Sequence, residues 1–187
     1  MTWEWRVFAA LDKEASPHMV VCDALFPSNL PVEEREDVYI PVRDDCGVKM
    51  RHGSDWEVKI RLNTGDGMEE WCKWKFRSKA EMLDFGRTKK WFSETEEHSI
   101  NDPTRFVTTK KKRVIVQSED LDFERTEVIA ELRSSSGSPE TKRHVSLCVQ
   151  GNKRAMLEHL QSENGKHFRA LGNQMGYPAY VLSLLRE

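Results

Sequence analysis

Between Gly47 and Arg61, in GVKMRHGSDWEVKIR, charged and apolar residues alternate over two short runs. Alternation with a period of two marks a strand, because successive side chains leave it on opposite faces. The spacing predicts two strands joined at His-Gly-Ser-Asp. Lys49, Arg51, Glu57, Lys59 and Arg61 then share one face, and Val48, Met50, Trp56, Val58 and Ile60 the other.

The same polarity recurs along the chain. Thr2 to Leu11 sets Trp3, Trp5 and Val7 against Thr2, Glu4 and Arg6. Asp37 to Val42 is expected to be a strand, with Pro41 marking an edge or an end. Glu69 to Phe76 sets Trp71, Lys73 and Lys75 against Cys72, Trp74 and Phe76. On Arg105 to Gln117, Lys111 and Arg113 share a face with Val107 and Ile115. Phe123 to Leu132 sets Glu127, Ile129 and Glu131 against Val128, Ala130 and Leu132. Val145 to Gln150 carries Ser146, Cys148 and Gln150 on one face.

Helices are signalled in fewer places. Ser78-Lys79-Ala80-Glu81 is an S-x-x-E capping box, predicting a helix to about Phe92 with Met82, Phe85 and Phe92 inward. Lys153 to about Gln161 reads as a helix through Met156, Leu157 and Leu160. Tyr180, Val181, Leu184 and Leu185 read as a short packing helix in the tail. Residues 12 to 34 read as a loop with at most a short helical turn, and the run Glu33 to Glu36 as solvated. Residues 93 to 104 read as a loop, and Ser134 to Pro139 as a flexible hairpin loop.

About eight strands joined in several places by short turns favour antiparallel pairing. The expected class is α+β. An open sheet with its charged face in water fits the pattern. So does a closed barrel with a polar lumen and helices over its apolar exterior.

The chain has 187 residues, 38% hydrophobic and 32% charged. That is enough for a single domain, 1–187, with its own core. A net charge of −2 argues against bulk-charge binding to nucleic acid, leaving only a local basic patch for such a role. MTWEWRVF lacks the apolar run of a signal peptide, and no stretch approaches the roughly 18 apolar residues of a membrane span. The expectation is a cytoplasmic chain, with the nucleus as the alternative, and no membrane partner. Cys22, Cys46, Cys72 and Cys148 form no C-x-x-C pair and read as free thiols. The histidines show no ligand spacing, and no Ser, Cys or Thr stands beside a recognisable His and acid. Covalent catalysis therefore has no support.

If the charged faces share a lumen, its lining is Arg6, Lys49, Arg51, Lys59, Arg61, Lys73, Lys75, Lys111 and Arg113, with Glu4, Glu57, Glu127 and Glu131 as acids. So many cations need an anion beside them, and phosphate oxygens suit such a lining. The acids could then hold Mg²⁺ or Mn²⁺.

The order of motifs resembles the CYTH domain superfamily, the triphosphate tunnel metalloenzymes, whose relatives include thiamine triphosphatases and class IV adenylate cyclases. Thr2-Trp3-Glu4-Trp5-Arg6 falls where that family has E-x-E-x-K. GVKMR and WEVKIR fall on its third and fourth basic strands, and TKKKR on a later one. VSLCVQG, a helix and GYPAYVLSLL resemble its closing strand, helix and G-Y-P-x-Y ending. The resemblance implies an eight-stranded antiparallel closed barrel with flanking helices. It implies a triphosphate-bearing small molecule or polyphosphate as partner, and Mg²⁺ or Mn²⁺ as cofactor for phosphoric anhydride hydrolysis. Lys59 and Arg61 would be catalytic, the nine basic residues above phosphate-binding, and Glu4, Glu127 and Glu131, aided by Glu57, metal ligands. The chain departs from the pattern at Thr2, where an acid is missing, and at Cys148 and Gln150, where acids would help hold metal.

Three alternatives stand beside hydrolysis. The first is a catalytically impaired polyphosphate- or nucleotide-binding module of the same fold. The second is an RNA-associated protein using a basic surface, for which Lys110 to Arg113 is the candidate run. The third is that Glu127 and Glu131 simply pair with cations across strands, and Glu57 with a neighbouring cation. Trp3, Trp5, Trp56 and Trp74 fall on packing faces and read as core rather than base-stacking platforms.

Overall fold

The computed structural model describes residues 1–11, 17–134, 140–172 and 174–186. The strands are β1 (Thr2–Ala10), β2 (Glu33–Arg43), β3 (Cys46–Arg51), β4 (Asp55–Gly65), β5 (Met68–Phe76), β6 (Arg105–Gln117), β7 (Leu121–Ser134) and β8 (Glu140–Gly151). The helices are α1 (Pro17–Asp23), α2 (Lys79–Lys89), α3 (Glu94–Asn101), α4 (Lys153–Gln161), α5 (Glu163–Ala170) and α6 (Tyr177–Leu184).

The strands form one closed antiparallel barrel in the order β1-β5-β4-β3-β2-β6-β7-β8, with β8 returning to β1. This is the α+β closed barrel that the resemblance implies and the alternation allows, rather than an open sheet. The seam joins the first strand to the last, from Trp3 opposite Gly151 to Ala10 opposite His144. Two of the hairpins turn on a residue-glycine pair with both φ angles positive, His52-Gly53 and Asp66-Gly67. Such turns twist with the strands they join, and glycine takes the second position without steric cost.

Helices cover the apolar exterior in two places. Trp5, Val7, Leu147 and Val149 pack beneath Cys22, Met156, Leu160 and Phe168 from α1, α4 and α5. Ile40, Val48, Val58 and Phe76 pack beneath Met82, Leu83, Phe92 and Ile100 from α2, α3 and the residues between them. A third cluster joins α6 to the lumen face: Tyr177, Tyr180, Val181 and Leu184 meet Tyr39, Val107, Val128 and Ala130. The tail helix therefore packs on the polar-faced side of the wall.

Several expectations about loops are corrected. Residues 93 to 104 hold α3, opened by a complete capping box in which Ser93 accepts from the Glu96 amide and the Glu96 carboxylate accepts from the Ser93 amide. Its lone buried residue, Ile100, is too little apolar periodicity to mark a helix. Residues 12 to 34 hold the short helix α1 and the start of β2; Glu33, Glu34 and Glu36 lie on a paired strand with exposed side chains, as expected, whereas Arg35 turns into the lumen. A further helix, α5, follows α4 at once, with Ser162 as its N-cap. A Cβ at Gly165 would lie 2.2 Å from the His159 carbonyl oxygen, so glycine permits the close approach of α4 and α5. The loop expected over Ser134 to Pro139 lies, beyond Ser134, outside the described residues. No helix among the described residues is long and apolar enough to cross a membrane.

Candidate anion-binding site

Because β-strand side chains alternate, each strand of the barrel delivers every second residue to the lumen. There they line a cavity of about 200 Å³ with eight basic side chains and three acidic ones. The cations are Arg6, Arg35, Lys49, Arg51, Lys59, Lys73, Lys75 and Arg113; the acids are Glu4, Glu57 and Glu124. Gln150, Tyr39 and Tyr177 complete the polar lining.

The charges are organised around two buried centres. At the first, the Arg6 guanidinium donates through Nε to Glu4 at 3.0 Å, and through one terminal nitrogen to Glu124 at 2.9 Å and Ser146 Oγ at 2.8 Å. Lys59 donates to the other oxygen of Glu4 at 2.7 Å, and Arg113 to the other oxygen of Glu124 at 3.0 Å. Burial alone would raise the Glu4 pKa, but Lys59 and Arg6 outweigh it and lower it to about 2. Glu124 is likewise held well below the usual carboxylate range by Arg6 and Arg113, against the effect of burial.

The second centre is Asp37, which has no exposed surface. Lys111 lies 2.8 Å away, Arg51 2.9 Å, Lys49 3.4 Å and Arg35 3.6 Å. Against burial, these cations hold its carboxyl far below its ordinary value. Burial also pulls the Lys111 ammonium well down, with Asp37 opposing. Asp37 faces three further cations, so its ionisation does not depend on Lys111 alone. Lys49 pairs with Glu57 at 3.0 Å, yet burial brings it down to about 8.

Some donors remain uncommitted. Lys73 and Lys75, both exposed, form no ion pair with a described acidic residue within 4 Å. Arg35 Nε and the Tyr177 hydroxyl are buried without a hydrogen-bond partner among the described residues. Buried donors normally find partners, so orphans on a cavity wall point to a ligand. One end of the lumen is filled by aromatic rings. Phe8 stacks on Tyr180 with centroids 3.8 Å apart, and Tyr180 meets His144 Nδ1 through its hydroxyl at 2.9 Å.

Arg6, Lys49, Arg51, Lys59, Lys73, Lys75, Arg113 and Glu4, all singled out from the sequence, line the cavity together. Arg61 does not. It lies on the same face but engages Glu69 at 2.9 Å and Asp44 at 3.3 Å, away from the cavity lining. Lys111 sits behind Asp37, 3.9 Å from the Tyr177 ring centre and fully buried. Glu127 and Glu131 are corrected. They alternate with Glu124, Thr126 and Val128, face outward, and pair with Arg125 and Lys110 respectively. The cations Lys110 and Lys112 also face outward, each paired with an acid. Asp37, Arg35 and Glu124 escape the sequence reading of the site. Their signal is parity: Arg35, Asp37 and Tyr39 alternate with Glu34, Glu36, Val38 and Ile40.

The acids present do not fit a divalent metal ion. Each of the four oxygens of Glu4 and Glu124 accepts from Arg6, Lys59 or Arg113, and no group of three acidic, histidine or cysteine side chains among the described residues is placed to hold a metal ion. Cys148 lies buried between these acids, and burial pushes its thiol far up, so it stays neutral and soft.

No family model matches the chain, and no curated protein matches it either. Among solved structures, the Hippeastrum protein HpAC1, reported to have a dominant triphosphatase activity, is 13% identical. Its TM-score is 0.43, with 88% of each chain covered. A conserved hypothetical protein from Pyrococcus furiosus is 14% identical at a TM-score of 0.43, covering 92% of this chain and 91% of its own. The protein PH1012 from Pyrococcus horikoshii is 16% identical at 0.39, with 90% and 85% covered.

Proposed function

We propose that the chain is a CYTH-like tunnel protein that binds a linear triphosphate or a triphosphate-bearing metabolite in its lumen. The observation that carries this reading is the excess of cations on the wall: eight basic against three acidic side chains, with Lys73 and Lys75 outside any ion pair among the described residues. An extended polyanion along β5 would meet both lysines. It would also accept from the Tyr177 hydroxyl, which has no hydrogen-bond partner among the described residues, and from Arg35 Nε, which reaches Asp37 only at ion-pair distance, 3.6 Å. Arginine supplies forked donors to phosphate oxygens, and lysine compact charge.

Binding is the role the geometry supports best, as a polyphosphate or nucleotide-binding module. Hydrolysis by Mg²⁺ or Mn²⁺ would require Glu4 and Glu124 to give up three cations first. The RNA reading is weaker, because Lys110 and Lys112 are paired with Glu131 and Glu34 on the outside.

Calorimetric titration of tripolyphosphate, thiamine triphosphate, ATP and a short RNA into the full chain tests the reading. Tripolyphosphate should bind, and the double variant Lys73→Ala/Lys75→Ala should weaken it by about tenfold or more while the circular dichroism is unchanged. RNA binding without tripolyphosphate binding would overturn the tunnel. Metal-dependent release of inorganic phosphate from any of the three would restore the hydrolase.

A further inference from the structure

We infer that the tunnel takes its polyanion without a divalent ion, because the Arg6 guanidinium already fills the place between Glu4 and Glu124 as a fixed cation. This rests on the lumen being the anion site. Arg6, Glu4 and Glu124 come from β1 and β7, which do not pair; β8 lies between them. Their side chains meet in the lumen, each about 95% buried. Arg6 bridges the two carboxylates at 3.0 and 2.9 Å, and Ser146 on β8 holds the same terminal nitrogen from the third side at 2.8 Å. Thr126 adds a hydroxyl to Glu124 at 3.0 Å.

A hard cation needs several open oxygens. Here each carboxylate oxygen of the pair already accepts from a charged nitrogen. A divalent ion entering between them would have to displace Arg6 into a cavity that already holds seven other basic side chains. The displaced guanidinium would keep its charge and lose its partners, which is the costly way to break a buried pair. On β8 the neighbouring positions Ser146, Cys148 and Gln150 add no negative charge to offset this. A guanidinium can also keep one carboxylate on each edge while turning its remaining N–H donors to a phosphate oxygen. Arg6 thus does for charge what a bound ion would do, with the position fixed by the strand.

Two measurements on the full chain test this. Tripolyphosphate is titrated calorimetrically in EDTA and in buffer treated to remove metal. Separately, Mn²⁺ is titrated and the free ion followed by electron paramagnetic resonance, with and without tripolyphosphate. The inference expects equal tripolyphosphate affinity in both buffers, and no uptake of Mn²⁺ beyond what the same concentration of tripolyphosphate takes up without protein. Arg6→Gln, which frees one oxygen of each carboxylate and leaves Lys59 and Arg113 on the others, should lose about tenfold or more of the EDTA-resistant affinity and gain Mn²⁺ uptake. Anion binding that vanishes in EDTA, or an equivalent of Mn²⁺ taken up by the wild-type chain, would overturn it. Both of those outcomes come from the wild-type protein, so they decide the matter even if Arg6→Gln does not fold. Absence of tripolyphosphate binding in every buffer would instead sink the anion-binding function, leaving Mn²⁺ uptake by the protein alone to judge Arg6.

Discussion

At the residue scale the lumen is a set of charges that tolerate burial only in company. Asp37 is the plainest case, with four cations around a carboxylate that has no exposed surface. Asp37→Asn leaves those cations partly uncompensated and should cost about 3 kcal/mol or more of stability, read from urea unfolding. A change within a few tenths of a kcal/mol would mean the cations find other partners. Lys49 sets the pH response. With its pKa down at about 8, it carries full charge below that pH and loses it above. Tripolyphosphate affinity should therefore fall as pH rises through 8. At about pH 8.5, just above that pKa, the anion should pull a proton onto Lys49, visible as a binding heat that varies with buffer ionisation enthalpy. Equal heats in all buffers would count against Lys49 as the responsive group. Arg6, Lys49, Lys59 and Glu4 are legible in the sequence because each sits in a strand with an unambiguous apolar opposite face. Glu127 and Glu131 mislead because Val128, Ala130 and Leu132, which pattern as an outer face, in fact point inward beneath α6. An apolar residue is inside the barrel wherever a helix plugs it, and one-strand patterning cannot report that.

At the element scale, strands are more visible in the sequence than helices. β6 and α4 match their sequence-based bounds, whereas α3 and α5 give no clear signal. A short helix shows only a turn or two of periodicity, and α3 buries one residue along its length. Its capping box is the available signal, three residues before a charged rather than an apolar run. Ser93→Ala removes the acceptor of the Glu96 amide and should cost about 1 kcal/mol in thermal or denaturant unfolding. No measurable loss would show that Phe92 and Ile100, by their packing, hold α3 without its cap.

For the whole molecule, acid should be the weak side of the stability curve. Glu4, Glu124 and Asp37 all have carboxyls depressed by their cation partners. The unfolded chain takes protons at these groups first. Their contribution is therefore full above the ordinary carboxylate range near 4.5 and is lost as pH falls toward 2. Unfolding midpoints measured from about pH 6 to about pH 2.5 should hold steady and then drop steeply below about pH 4.5. A flat profile would mean the lumen pairs contribute little. Tripolyphosphate at neutral pH should raise the melting temperature in proportion to the logarithm of its concentration above Kd.

The seam between β1 and β8 has a consequence for how the molecule comes into being. Arg6 finds Glu124 across 118 residues of chain, and Arg113 finds Glu33 across 80. A nascent chain emerging from a ribosome holds the first strand ready long before its partner exists. Until β8 arrives, the ring is open and its charged wall is wet, so those groups stay hydrated instead of being trapped unpaired. Closing the ring and matching its charges are then one late event. Contacts so distant in sequence make that event slow. A slip of one residue in any strand would turn its cations outward and its apolar row into the lumen, so the charge pattern that lines the lumen also proofreads assembly.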